Sequence, residues 1–156
     1  MEIKLREALI NDFNQVNQIF SYTHDIHVKE RPDVFKESIN FFLIDEFEKN
    51  IKNENKKIIV ALINEEIVGA CMFEIIKIAE NNLMYKRNVI LIEILGTLPQ
   101  FQKKGIGSLF IDYLKKYRED HNISTIHLTT WCFNHNALKF YEKHGFLKRN
   151  YRLELK

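Results

Sequence analysis

The sequence lacks the features that mark several classes of protein. With two prolines and five glycines in 156 residues, it is neither a proline-rich linker nor a low-complexity chain. No apolar run approaches the roughly 18 residues that a transmembrane helix needs, and no apolar signal region follows Met1. We therefore expect a single domain over residues 1–156, located in the cytoplasm and without a membrane partner.

Cysteine and excess charge are equally scarce. Cys71 and Cys132 fall in predicted strands and lack the spacing of a zinc site, so we expect free buried thiols, no disulfide and no metal. The net charge is only +2, with acids and bases interleaved, which gives no basic block for nucleic acid. The apolar share of 46% is enough to form a core.

The apolar periodicity predicts alternating strands and helices. Strands are predicted over residues 3–5, 58–78 as a hairpin, 88–97, 124–130 and 151–155. Helices are predicted to begin at Asn11-Asp12, Pro32-Asp33, Ile106 and Ala137, with a polar loop between the first two. This order predicts an α/β fold in which a mixed twisted sheet of about six to seven strands is flanked on both faces by about four helices.

The most informative segment is Gln102-Lys103-Lys104-Gly105-Ile106-Gly107, which lies between a predicted strand and a predicted helix. Its two glycines allow a sharp turn, and the helix that follows directs free N–H groups and its positive dipole end toward a ligand such as a diphosphate. A dinucleotide fingerprint would need a glycine where Phe110 stands, and a nucleoside triphosphate loop would need a Gly-Lys-Ser/Thr string that does not occur.

A second segment adds to the first. Asn134-His135-Asn136-Ala137 precedes Phe140-Tyr141-Glu142-Lys143-His144-Gly145-Phe146. Together the two segments resemble the pyrophosphate loop and the Asn-x-x-Ala…Phe-Tyr-x-x-x-Gly-Phe signature of the GNAT superfamily of N-acetyltransferases, which bind acetyl-coenzyme A (acetyl-CoA). The likeness covers about the C-terminal two thirds of the chain. It implies two central parallel strands that splay apart, and we expect the break near Gly96 and Pro99.

The resemblance implies which residues bind acetyl-CoA. We define residues 102–108 as the glycine loop, which is expected to hold the pyrophosphate by backbone N–H groups, with charge added by Lys103 or Lys104. Its members are Gln102, Lys103, Lys104, Gly105, Ile106, Gly107 and Ser108. Leu95 and Thr97 are expected to pair through their backbone with the pantetheine arm. Asn134 is expected to contact the same arm or to cap a helix, a role open also to Asn136.

The resemblance also implies acetyl transfer to a primary amine by direct attack. Because an aliphatic amine is almost fully protonated at neutral pH, a base must take its proton, often through water. Glu93 is our candidate, although it could instead be a surface residue paired with a neighbouring base. The Leu95 N–H is expected to stabilise charge on the thioester oxygen. Tyr141 matches the family's general acid, or it only packs beside Phe140.

The acceptor and other partners are less defined. Tyr22, His24, His27 and Arg31 lie between the first two predicted helices, on the side that the resemblance assigns to the acceptor, and Arg31 could bind a substrate carboxylate. The acceptor could be a small-molecule or a peptide amine. A homodimer is compatible with the size of the chain. The alternative to an enzyme is a non-catalytic module that binds or senses acyl-CoA.

Overall fold

A computed structural model describes residues 2–156, within which five strands and four α-helices form. The strands are β1 (Lys4–Glu7), β2 (Lys56–Ile63), β3 (Glu66–Ile78), β4 (Arg87–Thr97) and β5 (Thr125–Leu128). The helices are α1 (Phe13–Glu30), α2 (Ile44–Lys52), α3 (Ile106–Asp120) and α4 (His135–Lys143). The α/β fold is therefore confirmed, with fewer strands than the six to seven predicted.

The strands form one sheet in the order β1-β2-β3-β4-β5. The first three pairings are antiparallel. Strands β4 and β5 are parallel because α3 carries the chain back to the end of the sheet at which β4 begins. No helix of the described residues is long and apolar enough to cross a membrane.

Two apolar cores lie on opposite faces of the sheet, as expected when alternate strand residues point to opposite sides. The first core holds Phe20 of α1, Phe47 of α2 and Val60 of β2. The second holds Ile59, the neighbour of Val60, with Phe110 and Leu114 of α3. Residues of α4 also pack against the second core. The helices thus cover both faces, as the sequence predicts.

Two predictions for the N-terminal third are wrong. Helix α1 continues to Glu30 and includes His24 and His27, for which the sequence predicts a loop. No helix begins at Pro32-Asp33; residues 31–43 are irregular, and α2 begins only at Ile44. The apolar residues of this segment have a helical period, but Phe42 is buried in the first core while Ile39 is almost fully exposed, so the segment does not present one continuous face.

The predicted final strand is also absent. Tyr151, Leu153 and Leu155 are at least 78% exposed and lie in an irregular segment. The intervening residues Glu154 and Lys156 form ion pairs with Arg31 and Asp33 and are themselves largely exposed. The alternating pattern is that of a strand, but ion pairs and not a sheet ladder hold this segment.

The cysteines are free, as predicted, but only Cys71 is buried. Cys132 is exposed in the loop after β5, because that strand ends at Leu128 and does not extend to residue 130.

Asp12 joins the start of α1 to β1. The helix begins where the sequence predicts, but Asp12 does not cap it, because the Asp12 side chain does not bond to an N–H of α1. Its carboxylate accepts two hydrogen bonds from Arg6, at 2.6 and 3.0 Å, and one from the Leu9 N–H at 2.7 Å. Burial raises the pKa of Asp12, but these hydrogen bonds outweigh it and hold the pKa below its ordinary value.

We expect Asp12→Ala to lower the free energy of unfolding by about 1.5–3 kcal/mol, the range for hydrogen bonds to charged groups. The control is Asp25→Ala on the exposed side of α1, expected to change stability by less than about 0.5 kcal/mol. Because the pKa of Asp12 is lowered in the folded state, its contribution is present above the ordinary carboxyl pKa near 4 and is lost on acidification. Urea unfolding of the wild type and both variants at pH 7 measures the free energies of unfolding. Equal stabilities of the two variants would contradict the predicted role of Asp12.

Candidate active site

The parallel strands β4 and β5 separate part of the way along their length. Their last paired residues are Ile92 and Leu128, although β4 continues to Thr97. Residues 93–97 therefore have a neighbouring strand only on the β3 side. The predicted splay is present, but it begins before Gly96, which still pairs with Ala70.

A β-bulge at Glu93 marks the start of the gap. Ile92 lies opposite Phe73 and Ile94 lies opposite Met72, so Glu93 is the extra residue of β4. The bulge reverses which side chains face each core: Ile92 belongs to the second core, whereas Ile94 packs against the first. The Glu93 side chain faces the side of α1 and α2, where its carboxylate lies 3.0 Å from the Lys56 ammonium.

The backbone of Leu95 and Thr97 points into the gap. The Leu98 N–H donates to the Val68 carbonyl on β3, and successive residues of a strand direct their polar groups to opposite edges. The N–H and C=O groups of Leu95 and Thr97 therefore point away from β3, toward the edge that β5 has left. These are the two residues that we expect to pair with an extended ligand arm.

Gly96 has a different role from the one predicted. A Cβ at this position would lie 2.3 Å from the Thr23 hydroxyl and 3.0 Å from Ile19, so the glycine allows α1 to pack closely on β4. Glycine is therefore required here for helix packing and does not mark the strand break.

The glycine loop lies at the N-terminus of α3, which begins immediately after Gly105. Gly105 has a φ of +86°, and a Cβ at this position would meet no atom of a more distant residue within 4 Å. The glycine thus leaves open space beside the first free N–H groups of the helix. Lys103, also at positive φ, and Lys104 are exposed. Exposed positive charge, a helix N-terminus and open space form a site suited to a diphosphate.

The remaining loop residues hold this arrangement in place. The Gln102 side-chain amide lies 3.5 Å from the Thr97 carbonyl, and Ile106, the first residue of α3, is buried. Gly107 faces the Phe140 ring of α4, 3.0 Å from where its Cβ would lie. Ser108 shares a hydrogen bond of 3.0 Å with His144 at the end of α4. The two sequence motifs are thus in direct contact through α3 and α4.

Asn134 is the N-cap of α4. Its side-chain oxygen accepts a hydrogen bond of 3.1 Å from the Ala137 N–H, so of the two asparagines it is Asn134 that caps the helix. The cap uses only the oxygen, and the Asn134 amide group retains N–H donors for a ligand.

Tyr141 packs on the second core, on the face of the sheet opposite Glu93. Its ring lies between Phe140 and Phe146, with centroids 5.1 and 5.4 Å away. Burial raises the pKa of Tyr141, and the nearby Cys71 adds to the effect. Because Cys71 is the partner of Leu95 in the β3–β4 pairing, Tyr141 lies level with the gap.

A cavity of about 400 Å³ opens on the α1 side of the gap. It includes Glu93 and Thr129, which come from the two separated strands or their ends. Its lining residues are Phe41, Met72, Leu91, Ile92, Glu93, Ile94 and Thr129. Glu93 therefore lies in a mostly apolar cavity at the point where β4 and β5 part.

The four residues predicted to face an acceptor do not form one group. Tyr22 lines a separate depression on the outer side of α1 with Asn14 and Asp25. Arg31 is committed within the chain: its guanidinium donates two hydrogen bonds of 2.8 Å to Asp33 and one of 3.1 Å to Glu154.

His24 and His27 belong to a row of aromatic rings beside the cavity. The sequence did not indicate this row. Neighbouring ring centroids are 5.2 to 6.5 Å apart from Phe41 through to Phe133. We call this set the aromatic wall: His24, His27, Phe35, Phe41, Trp131 and Phe133. Burial in the wall lowers the pKa of His27, which favours its neutral form at pH 7. Each ring keeps some exposed surface.

Comparisons with known proteins agree with this geometry. The model of the acetyltransferase (GNAT) family matches residues 18–146, and the chain belongs to that family. The resemblance seen in the sequence is therefore confirmed, and the domain is of an acyltransferase class whose members use acetyl-CoA.

Individual relatives are more distant. A mutant of the BH1408 protein from Bacillus halodurans is 25% identical, with a TM-score of 0.95 over 98% of both chains. An aminoglycoside acetyltransferase from a soil metagenomic sample, solved with trehalose, shares the fold at 16% identity, with a TM-score of 0.71 over 99% of this chain and 94% of its own. The N-alpha-acetyltransferase 60 of Danio rerio is 38% identical over 61 residues, which are 36% of this chain and 25% of that protein. The chain thus spans about a quarter of the curated relative's length.

Proposed function

We propose that the protein transfers the acetyl group of acetyl-CoA to a primary amine of a small molecule or peptide. Glu93 acts through water as the base, and Tyr141 acts as the acid. The observation that carries this proposal is the gap between β4 and β5, because the glycine loop, a strand edge without a neighbour, Glu93 and Tyr141 all lie beside it.

The residues around the gap fit acetyl-CoA, which supplies a thioester whose acetyl group is activated for attack by an amine. The N-terminus of α3 and the two lysines of the glycine loop would bind the diphosphate. The polar groups of Leu95 and Thr97 that face away from β3 would bind an arm with amide groups as a neighbouring strand does. The Leu95 N–H, which faces the gap, would serve as the donor to the acyl oxygen.

Glu93 and Tyr141 are suited to opposite proton transfers. The Glu93 carboxylate faces the cavity and can accept a proton from an amine, directly or through water. Tyr141 lies on the other face of the sheet, and its raised pKa keeps the phenol protonated at neutral pH, so it can donate a proton to a leaving thiolate. The gap connects the two faces, which allows one group to act on each side of the reacting atoms.

Binding and turnover are tested separately. We expect isothermal titration to show acetyl-CoA binding, and thiol release from acetyl-CoA to depend on an added amine. The amines should include peptides, since the match to an N-alpha-acetyltransferase over 61 residues favours that class as a second candidate. Binding without turnover on any amine would support the acyl-CoA sensor instead, and no binding would contradict both functions.

The charge at the glycine loop allows a matched test. Asparagine and aspartate both tolerate the positive φ of Gly105, and the space beside it is open. We expect Gly105→Asp to bind acetyl-CoA at least about 10-fold more weakly than Gly105→Asn, because a negative charge near the helix N-terminus opposes the diphosphate. Titration of both variants measures the difference. Equal affinities would mean that the loop only connects β4 to α3.

A further inference from the structure

We propose that the acceptor is a small monoamine whose body is apolar and large enough to contact aromatic rings, such as an arylalkylamine. This inference rests on the proposed acetyl transfer and specifies its substrate. It follows from the lining of the cavity, from the aromatic wall beside it and from the way the charges of this region are already paired.

The cavity is apolar except at one place. Five of its seven lining residues are apolar, and the only charged one is Glu93. Its volume of about 400 Å³ lies within the range of small-molecule sites. An apolar substrate body gains from leaving water there, whereas a body rich in hydroxyl or ammonium groups would lose hydrogen bonds that this lining does not replace.

The aromatic wall continues this apolar surface away from Glu93. Phe41 belongs to both the cavity and the wall, and its ring lies 6.2 Å from that of His24. Further along, Trp131 and Phe133 stack nearly parallel with centroids 5.8 Å apart. An aromatic substrate can pack against such rings in edge or offset geometry, in addition to burying its area.

The charges near the cavity do not favour a polycation. The single lining carboxylate, Glu93, is already paired with Lys56, and the side chains of both are less than one quarter exposed. Glu74 lies across from Lys56 in the β2–β3 pairing but does not line the cavity. A substrate with several ammonium groups would therefore find one shared carboxylate.

The same region offers little to a substrate carboxylate. Arg31 contacts the face of Trp131, 4.9 Å from its centroid, and its Nε and Nη2 already donate to Asp33 and Glu154, whose two carboxylates offset its charge. Lys56 is engaged by Glu93. A free amino acid would bring a carboxylate without a partner among these residues, so an uncharged body carrying one amine fits best.

The test is thiol release from acetyl-CoA with matched acceptors: 2-phenylethylamine and tryptamine against phenylalanine, spermidine, kanamycin and a short peptide. We expect kcat/KM for the two arylalkylamines to exceed that of each other acceptor at least 10-fold. Preference for spermidine, kanamycin, phenylalanine or the peptide would overturn the inference and leave acetyl transfer intact. Silence on every acceptor would count against the proposed function itself.

Two substitutions in the cavity lining test the specificity. Thr129 is an exposed residue of the cavity rim. We expect Thr129→Asp to raise kcat/KM for spermidine at least 10-fold over the isosteric Thr129→Asn, because it adds the second carboxylate.

Phe41→Leu keeps an apolar side chain but loses the ring, and should raise KM for tryptamine at least 5-fold with acetyl-CoA affinity unchanged.

The control for lost aromatic surface is Tyr85→Ala. Tyr85 is 86% exposed in the loop between β3 and β4, before the start of β4 and at the far end of that strand from the gap. We expect wild-type constants for tryptamine in this variant. An unchanged KM in Phe41→Leu, or equal use of spermidine by the two Thr129 variants, would overturn the assignment of this cavity to the acceptor.

Discussion

Replacing Tyr141 by phenylalanine is expected to lower kcat about 100-fold, the lower range for loss of a proton-transfer group, while acetyl-CoA affinity changes little. The substitution removes only the hydroxyl. The ring keeps its contacts with Phe140 and Phe146, so α4 and the glycine loop that it supports retain their positions. Steady-state kinetics and isothermal titration on the same preparation measure the two quantities separately.

The pH profile provides a second measurement on the same residue. Because burial raises the pKa of Tyr141 above the ordinary value near 10, the phenol keeps its proton throughout the range in which the enzyme can be assayed. We expect wild-type kcat not to fall between about pH 8 and pH 10. If the wild-type kcat falls in that range and the fall is absent in Tyr141→Phe, the pKa of Tyr141 is lower than its burial implies. Full activity in the variant at pH 7 would remove Tyr141 from the mechanism.

Residues 102–108 illustrate what the sequence could predict. A turn with two glycines between a strand and an amphipathic helix depends on local backbone geometry, and the position of Gly105 before α3 follows from its spacing. The contact between Gly107 and Phe140 could not be predicted in that way. It depends on how α4 packs on α3, and these two residues lie more than 30 positions apart in the chain.

The aromatic wall escapes sequence reasoning for the same physical reason. Phe35 and Phe41 lie in the segment for which the sequence predicts a helix beginning at Pro32-Asp33, whereas Trp131 and Phe133 lie in the loop after β5. Neither segment has a pattern of its own that indicates a surface. They meet because β4 and β5 part, which leaves the loop after β5 free to pack against His27 and Phe35 of the N-terminal region.

Glu93 shows that the position of a strand break depends on pairing. Gly96 and Pro99 suggest a break because both residues are poor members of a ladder. The bulge lies instead at a glutamate, a residue type with no such preference, and it moves the following side chains to the opposite face. As a result, the side chains of Glu93 and Ile94 both line the cavity, although the alternation of a regular strand would place these adjacent residues on opposite faces.

Replacing Glu93 by glutamine is expected to lower kcat/KM at neutral pH about 100-fold, since the amide keeps the size of the side chain but cannot accept the amine's proton. The same change breaks the ion pair with Lys56, so a fall in activity alone could reflect a disturbed strand. Lys56→Met separates the two effects: it also breaks the pair, yet it leaves the Glu93 carboxylate in the cavity.

The Lys56→Met variant should therefore keep activity within about 5-fold of wild type, because a partly exposed ion pair contributes only about 1 kcal/mol. Parallel losses in Glu93→Gln and Lys56→Met would assign Glu93 a structural role at the bulge, and the base would have to be sought elsewhere along the cavity. A large loss confined to Glu93→Gln, with acetyl-CoA affinity retained in both variants, would place the base on the α1 side of the gap. Together with the Tyr141 result, it would mean that the amine gives its proton to Glu93 on one face of the sheet and the thiolate receives the Tyr141 proton on the other, which the separation of β4 and β5 after Ile92 and Leu128 makes possible.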